Sequence, residues 1–166
     1  MSDPSPSLDR RNPRPRLSRR GVLVGASVVA LGGLGVFGAK WFNVTARAGQ
    51  KGQLSVQQAH VAAKAGDIVL VDIRRPDEWA HTGVGAHAVP LDMRRKDFAQ
   101  ALLAYVNHDA SHPVALICAR GVRSRAMTAR LTKAGFTNII DVPEGMLGSG
   151  AGPGWLKSGL PVVRPE

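Results

Sequence analysis

The chain has little cysteine, few aromatic residues and a shortage of acidic side chains. Its 166 residues include a single cysteine, Cys118, which excludes an internal disulfide, a CxxC redox pair and a zinc site built from several cysteines. Aromatic residues make up 5% of the chain, and 12 acidic residues stand against 22 basic ones, for a formal net charge of +10. The length suits one ordinary domain and is too short for two full cores.

Several motifs of cofactor and metal binding are also missing. No GxxxxGK[ST] pattern and no HExxH pattern occurs, and the five histidines have no zinc-like spacing. Gly148, Gly150 and Gly152 do not directly follow a predicted strand, so a dinucleotide-binding fingerprint is not indicated. None of these metal-binding or nucleotide-binding motifs is therefore indicated.

The N-terminal third differs in composition from the rest of the chain. Residues 1–20 carry six arginines against two aspartates among many prolines and serines, which predicts a disordered basic segment. The uncharged tract that follows is rich in Gly, Ala, Val and Leu, and as a helix it would span roughly 28 Å, near the thickness of a bilayer's hydrocarbon core. We therefore predict a hydrophobic signal or anchor helix at residues 21–40, a linker at residues 41–51 and a folded domain at residues 52–164.

The hydrophobic tract has two interpretations that the sequence leaves open. Residues 18–23, Ser-Arg-Arg-Gly-Val-Leu, resemble a bacterial twin-arginine export signal, and Ala46-Arg47-Ala48 is a candidate cleavage site. Alternatively, the two arginines are the basic flank of an uncleaved membrane anchor. In both cases the arginines precede the tract, which predicts that the N-terminus stays inside and that the domain faces the extracytoplasmic side, the bacterial periplasm.

Without this leader the charge of the chain is modest. Residues 49–166 keep fourteen basic and ten acidic side chains, and they contain no stripe of basic residues interleaved with aromatics. A nucleic-acid partner is therefore not predicted.

Strand-like and helix-like segments alternate from residue 52 onward. This alternation is typical of an α/β fold, with a parallel sheet covered by helices on both faces. A capping box at Ser55 and Gln58 marks the first helix, and Phe98, Leu102 and Tyr105 are expected to share one face of the second. The predicted elements are a helix from Ser55 to about Lys64, strands at 68–71, 114–117 and 138–140, and helices at 97–107 and from Ser124 to Ala134.

Cys118 is the residue around which the chemistry is expected. It ends a predicted strand and precedes a short loop and a helix, so the loop N–H groups and the helix N-terminus converge near its sulfur. Such surroundings favour the thiolate, the nucleophilic form of cysteine. Gly121 can adopt the positive φ that a tight loop requires, and Arg120 and Arg123 carry forked donors that suit a small oxyanion or thio-oxyanion. Ser124 is expected to cap the helix.

Four sequence markers, in this order, resemble the rhodanese-like sulfurtransferases, and the resemblance covers roughly residues 52–164. The markers are Asp72-Ile73-Arg74 with Glu78-Trp79, Gly85-Ala86 with Val89-Pro90, the loop Cys118-Ala119-Arg120-Gly121-Val122-Arg123, and Glu144-Gly145 with Trp155 and Gly159-Leu160-Pro161-Val162.

The resemblance implies a rhodanese-like fold and sulfur transfer without a metal or organic cofactor. Cys118 would take the outer sulfur of a small anionic donor, thiosulfate or a persulfide, and the resulting persulfide would pass it to a thiol or to cyanide. Asp72, Arg74 and Glu78 would form a hydrogen-bonded or ion-paired brace beneath the loop. The residues expected to bind the substrate are Ala119, Arg120, Gly121, Val122, Arg123 and Ser124.

Other functions stay open from the sequence. The domain could carry or bind sulfur without turnover, and an intact Cys118 does not decide between a carrier and an enzyme. Cysteine phosphatases and arsenate reductases use a similar anion cradle, but the phosphatase pattern needs arginine at the sixth position after the cysteine, where this chain has Ser124. The stretch from Gly148 to Gly154 is interpreted as a lid or as a structural turn, and we favour the turn.

Overall fold

The structure is a computed structural model that describes residues 52–165. The predicted basic N-terminus, signal or anchor helix and linker lie outside the described residues. Among the helices formed by residues 52–165, none is long and apolar enough to cross a bilayer.

The centre of the domain is a four-stranded parallel sheet with the strand order β3-β1-β4-β5. Its two middle strands are almost entirely apolar and buried, because helices cover both faces of the sheet. The strands within residues 52–165 are β1 (Val69–Asp72), β2 (Val84–Gly85), β3 (Ala88–Pro90), β4 (Val114–Ile117), β5 (Ile139–Val142) and β6 (Val162–Val163).

In the described part of the chain, five helices connect or flank these strands, and they divide the core into two apolar clusters. On one face, Phe98 and Leu102 of one helix and Met127 and Leu131 of another pack against the sheet. On the other face, Trp155 is fully buried in a cluster with residues of the first helix. The helices are α1 (Val56–Ala65), α2 (Pro76–Thr82), α3 (Phe98–Tyr105), α4 (Val122–Lys133) and α5 (Gly154–Lys157). The predicted α/β class, with a parallel sheet between helical layers, is confirmed.

The start of α1 follows the predicted capping box. The Ser55 hydroxyl accepts the N–H of Gln58, and the Gln58 side chain accepts the N–H of Ser55. The helix ends at Gly66, whose left-handed conformation (φ 82°) is easy for glycine because glycine has no Cβ.

Two details of the predicted elements are wrong. Tyr105 does not lie on the apolar face of α3, because its side chain is 55% exposed while Val106 is buried. Val106 is eight residues after Phe98, which continues the face shared with Leu102 better than position 105 does. The third strand of the prediction also stops too early: β5 extends through Asp141 to Val142, although a carboxylate is rarely found inside a buried strand.

A second, two-stranded antiparallel sheet pairs β2 with β6. It places the fourth sequence marker, which includes Trp155, next to the second marker, which includes Gly85. A Cβ at Gly85 would lie 2.8 Å from the ring of Trp155, so these two markers approach too closely for any larger residue at 85. The Trp155 indole N–H donates to the Pro161 carbonyl oxygen at 2.9 Å, which ties α5 to the segment leading into β6.

The segments that follow β1 and β3 share one six-residue pattern, Asp-x-Arg-Arg-x-Asp, at residues 72–77 and 92–97. Because β1 and β3 are neighbouring parallel strands, both copies lie at the same edge of the sheet. Each copy forms the same contacts: the first arginine folds back onto the first aspartate, and the second arginine pairs with the last aspartate. The Arg74–Asp72 pair is buried, whereas in the matching Arg94–Asp92 pair the Arg94 side chain is 61% exposed.

Candidate active site

Cys118 lies at the carboxyl end of β4, at the start of a loop that leads directly into α4. Its sulfur is almost completely buried, with 1% of the residue exposed. The Gly121 N–H donates to Cys118 Sγ at 3.2 Å, and the Ser124 hydroxyl oxygen lies 3.6 Å from the same sulfur. The loop therefore directs hydrogen-bonding groups at Sγ, an arrangement that favours negative charge on the sulfur.

The predicted role of Ser124 as the helix cap is wrong. The N-cap of α4 is Gly121, whose left-handed conformation (φ 78°) turns the chain back toward Cys118, so the helix begins at Val122. Ser124 falls in the first turn of α4, where its side chain is fully buried and its hydroxyl donates to the Gly121 carbonyl oxygen at 3.2 Å. The tight turn that aims an N–H at Sγ starts the helix earlier than the sequence pattern indicates.

The segment after β5 makes backbone hydrogen bonds to the loop that begins at Cys118. The Met146 N–H donates to the Cys118 carbonyl oxygen at 2.8 Å, and the Leu147 N–H donates to the Ala119 carbonyl oxygen at 2.9 Å. Gly145, with φ 69°, supports this contact, because a Cβ there would lie 2.5 Å from the Ala119 carbonyl oxygen. The Glu144-Gly145 marker and the loop that begins at Cys118 therefore pack directly against each other.

A cavity of about 350 Å³ opens above Cys118. It is lined by Arg75, Glu78, Cys118, Ala119, Arg120, Val122, Arg123 and Leu147. Three of these side chains are arginines and one is a carboxylate, so the charged groups at the opening favour an anion. The structure thus brings most of the predicted substrate-binding loop to one cavity, and it adds Arg75 and Leu147, which the sequence reasoning missed.

The Arg123 guanidinium and the Glu78 carboxylate form a two-pronged ion pair, with both N–O distances at 2.7 Å. Glu78 also accepts the Arg75 N–H at 3.2 Å, which fixes its orientation at the start of α2. The hydrogen bond from Arg123 lowers the pKa of Glu78 despite partial burial, and the Glu78 carboxylate raises the pKa of Arg123. The nearby Cys118 sulfur raises the pKa of Arg123 further.

Asp72 and Arg74 form a buried ion pair beside α2. The Arg74 side chain is 1% exposed and that of Asp72 is fully buried. The guanidinium also donates to the Thr82 hydroxyl and the Gly83 carbonyl oxygen, at 2.8 and 2.7 Å. This pair therefore holds the end of β1 against the C-terminal end of α2, while Glu78 on α2 makes the contact to Arg123.

Arg120 lies between two cavities. Its guanidinium donates to the Gly148 carbonyl oxygen at 3.2 Å, and a second, more open cavity of about 530 Å³ is lined by Arg120, Lys157 and the glycine-rich stretch. Within that stretch the Ser149 and Gly152 backbones bond to each other in both directions, at 3.0 and 3.3 Å. These two bonds close a tight turn within the stretch.

Two buried carboxylates near the loop were not singled out as functional from the sequence. Glu144 accepts the N–H groups of Val56 and Gly154, at 3.1 and 3.2 Å, and so joins α1 to α5. Asp141 on β5 is 4% exposed, and neither of its carboxyl oxygens has a hydrogen-bond partner among the described residues. Residues 52–165 contain no group of three or more His, Cys, Asp or Glu side chains close enough to hold a metal ion.

The chain belongs to the rhodanese-like domain family, whose model matches residues 55–148, more than half of the sequence. The match includes the first three markers and the start of the fourth. A comparison with curated proteins found no significant match.

Several solved structures resemble this one. The polysulfide-sulfur transferase homodimer from Wolinella succinogenes is 26% identical with a TM-score of 0.53, covering 84% of this chain and 91% of that one. A thiosulfate sulfurtransferase from Pseudomonas aeruginosa is 21% identical with a TM-score of 0.54, covering 69% of this chain but only 20% of that one. A rhodanese-like domain from Anabaena sp. is 14% identical with a TM-score of 0.54, covering 70% of this chain and 81% of that one. The family match supports sulfur transfer as the general activity, and the neighbours below 25% identity show the shared fold.

Proposed function

We propose that this domain transfers sulfane sulfur through a persulfide on Cys118. The observation that carries the proposal is the position of Sγ: it accepts the Gly121 N–H at 3.2 Å at the start of α4 and lies at the base of a cavity with three arginines. A thiolate held in this way is a nucleophile aimed into a site that attracts anions. Thiosulfate is the donor that we propose first, and a thiol or cyanide is the acceptor.

The proposed reaction has two balanced steps. In the first, the Cys118 thiolate attacks the outer sulfur of thiosulfate, the S–S bond of the donor breaks, and sulfite leaves with the electron pair. In the second, a thiolate or cyanide attacks the outer sulfur of the Cys118 persulfide, and the Cys118 thiolate is regenerated. Each step moves one sulfur atom with no external oxidant or reductant.

A longer sulfur chain is a second candidate donor. The cavity of about 350 Å³ is much larger than a thiosulfate ion needs, and Val122 and Leu147 give it apolar walls that suit a chain of sulfur atoms. The relative from Wolinella succinogenes is called a polysulfide-sulfur transferase, which supports including inorganic polysulfide among the donors to be compared.

The first experiment measures the intact mass of the purified full chain after incubation with thiosulfate. We expect a gain of about 32 Da, one sulfur atom, because the chain has one thiol that can accept it. Cyanide should remove the added mass and release thiocyanate over many cycles. A single cysteine makes the assignment to Cys118 direct without any digestion.

The outcomes of this experiment separate the candidate functions. Loading that cyanide or thiols cannot discharge over repeated cycles would indicate a sulfur carrier without turnover. No added mass from either thiosulfate or polysulfide, with the thiol still open to alkylation, would reject the proposed function. Arsenate reduction or phosphate-ester hydrolysis would then be tested on the same preparation.

The Arg123–Glu78 pair leads to a second prediction. Arg123→Ala should slow sulfur loading from thiosulfate by about ten- to thirtyfold, because it removes the close partner of the Glu78 carboxylate and leaves only the longer 3.6 Å ion pair with Arg75 beside an anionic substrate. The lowered pKa of Glu78 keeps this group charged at neutral pH, and the ion pair is lost only as the pH falls through that lowered value. The measurement is the rate of persulfide formation in a single turnover.

The matched control is the double variant Glu78→Gln with Arg123→Ala. It removes the repelling carboxylate and should recover most of the lost rate. A double variant as slow as Arg123→Ala alone would mean that the Arg123 guanidinium itself binds the donor.

The predicted extracytoplasmic location rests on residues outside the described part and stays a prediction.

A further inference from the structure

The second cavity adjoins the cavity above Cys118. Arg120 and Leu147 line both of them, so the two spaces meet at these side chains. The second cavity, of about 530 Å³, is larger than the first, of about 350 Å³. A ligand whose reactive end lies over Cys118 therefore has room to extend its other end past Arg120 into the second cavity. The loading of sulfur from thiosulfate does not use this second space.

The lining of the second cavity carries positive charge. Among the described residues that form it, the two charged side chains are Arg120 and Lys157, and the others are glycines, a serine, a proline and Leu147. The Glu144 carboxylate approaches the glycine-rich stretch from the interior, but it is 3% exposed and accepts two backbone N–H groups. The second cavity therefore favours an anionic group.

The junction between the two cavities is held in place by hydrogen bonds. The Arg120 guanidinium donates to the Gly148 carbonyl oxygen at 3.2 Å, and the Leu147 N–H donates to the Ala119 carbonyl oxygen at 2.9 Å. The junction thus combines a positioned guanidinium with the half-buried apolar side chain of Leu147. An aliphatic chain suits Leu147, and an anion at the end of that chain suits the basic groups beyond it.

Lys157 distinguishes the second cavity from the first, because it lines only the second. It is the last residue of α5, and its side chain is exposed. The helix is anchored by the fully buried Trp155 and by the Gly154 N–H, which donates to Glu144 at 3.2 Å. The ammonium group is a point charge on a flexible stem, so it can pair with an anion without demanding one geometry.

The length of the ligand decides which substrate suits this space. Thiosulfate has a single S–S bond between its ends, so an ion whose outer sulfur meets Cys118 keeps its own charge in the first cavity. The acceptor of the second step is different, because a thiol can carry a charged group several bonds away from its sulfur. The second cavity therefore fits the acceptor better than the donor.

We propose that the second cavity binds the sulfur acceptor, a small thiol with a carboxylate at the end of an aliphatic chain. The carboxylate lies between Arg120 and Lys157, and the thiolate attacks the outer sulfur of the Cys118 persulfide. A new S–S bond forms, the bond from Sγ to the outer sulfur breaks with its electron pair on Sγ, and the acceptor leaves as a persulfide. This inference rests on the proposed function, because it names the acceptor of the same reaction.

The test compares mercaptohexanoate with mercaptohexanol, each with the thiol at the end of the chain. The two have nearly the same length and thiol acidity and differ in charge. The full chain is loaded with sulfur from thiosulfate, and discharge of the persulfide to each thiol is followed by intact mass. The acid should react about fivefold faster at low ionic strength, a factor typical of exposed ion pairs. Added salt should reduce this advantage, because it screens exposed charges.

Variants of Lys157 locate the carboxylate. Lys157→Ala should remove most of the advantage of the acid over the alcohol, and Lys157→Arg, which keeps the charge, should retain it. Lys157→Glu should make the acid slower than the alcohol. The matched control is Lys133→Ala, which removes an exposed lysine at the far end of α4 and should leave the ratio of the two rates unchanged. A ratio is used because a general loss of activity does not alter it.

A second measurement needs no sulfur transfer. The unloaded chain is incubated with an equal mixture of the symmetrical disulfides of the two thiols, and intact mass shows which thiol has formed a mixed disulfide with the single cysteine. The acid should exceed the alcohol about fivefold in the unaltered chain and in Lys133→Ala. The two thiols should be captured equally in Lys157→Ala.

The two measurements together decide the proposal. Equal discharge and equal capture of the two thiols by the unaltered chain would reject the acceptor site even if thiosulfate loads Cys118 normally. A preference for the acid that survives Lys157→Ala and disappears in Arg120→Ala would place the carboxylate in the first cavity and would also reject it. Failure of the proposed function would instead appear as the absence of any sulfur adduct, while disulfide capture still favours the acid.

Discussion

Cys118→Ser is expected to reduce sulfur transfer by at least about a thousandfold, to the background of the uncatalysed reaction. A hydroxyl is far less acidic than a thiol and cannot form the persulfide on which the proposed mechanism depends. The measurement is thiocyanate release from thiosulfate and cyanide, together with the intact mass of the variant. With no other cysteine in the chain, no second residue can replace the lost nucleophile.

The fold of this variant should be preserved, which makes the loss interpretable. Cys118 is buried, and a serine oxygen in its place can accept the Gly121 N–H that now points at Sγ. The buried hydroxyl should therefore change the free energy of unfolding by no more than about 1 kcal/mol. A folded Cys118→Ser protein that still releases thiocyanate would show that the reaction does not pass through this residue.

Arg74→Ala should destabilise the domain by about 3–5 kcal/mol, the cost of leaving a buried charge without its partner. The variant removes the guanidinium from a fully buried Asp72 carboxylate and also leaves the Thr82 hydroxyl and Gly83 carbonyl oxygen without their donor. Because these contacts hold α2, which carries Glu78, we expect the cavity above Cys118 to lose order as well. The measurement is denaturant unfolding followed by circular dichroism.

The second copy of the Asp-x-Arg-Arg-x-Asp pattern supplies a matched control. Arg94 contacts Asp92 through the same atoms as Arg74 contacts Asp72, with terminal N–O distances of 2.6 and 2.7 Å respectively. The Arg94 side chain, however, is 61% exposed. Arg94→Ala should therefore change stability by less than about 1 kcal/mol, because exposed ion pairs contribute little in water.

The difference between these two variants reports the burial of the Arg74–Asp72 pair together with the additional Arg74 contacts to Thr82 and Gly83. A similar small effect for both would mean that the contacts of Arg74 are satisfied by water once the arginine is removed. A large effect for Arg94→Ala would contradict the assignment of that pair as a surface feature. The result does not depend on the catalytic proposal, so it tests the fold separately.

Much of the fold could be predicted from local pattern. The apolar run of β4, the capping box at Ser55 and the left-handed glycine at the end of α1 are short-range features, and the structure contains each of them. The alternation of strand and helix was enough to indicate a parallel sheet covered on both faces. The position of Cys118 at the end of a buried strand was also predictable, because it is a local property of the sequence.

Other features depend on residues far apart in the chain and were not predictable from local pattern. Arg123 looked available for a substrate, but the structure pairs it with Glu78, 45 positions earlier. Ser124 looked like a helix cap, but the turn at Gly121 places it inside the first turn beside Sγ.

Asp141 shows most directly what the tertiary structure decided. In the sequence it follows two isoleucines, and the apolar pattern predicts that the strand ends before it. In the structure the strand continues, and the carboxyl group is buried beneath α4. By itself, the sequence determined the fold class, the family markers and the position of the proposed nucleophile, because these depend on residue type and spacing. Only the tertiary structure decided which arginine is paired, which carboxyl group is desolvated and which hydroxyl lies next to the sulfur, because charge and burial depend on contacts between distant segments.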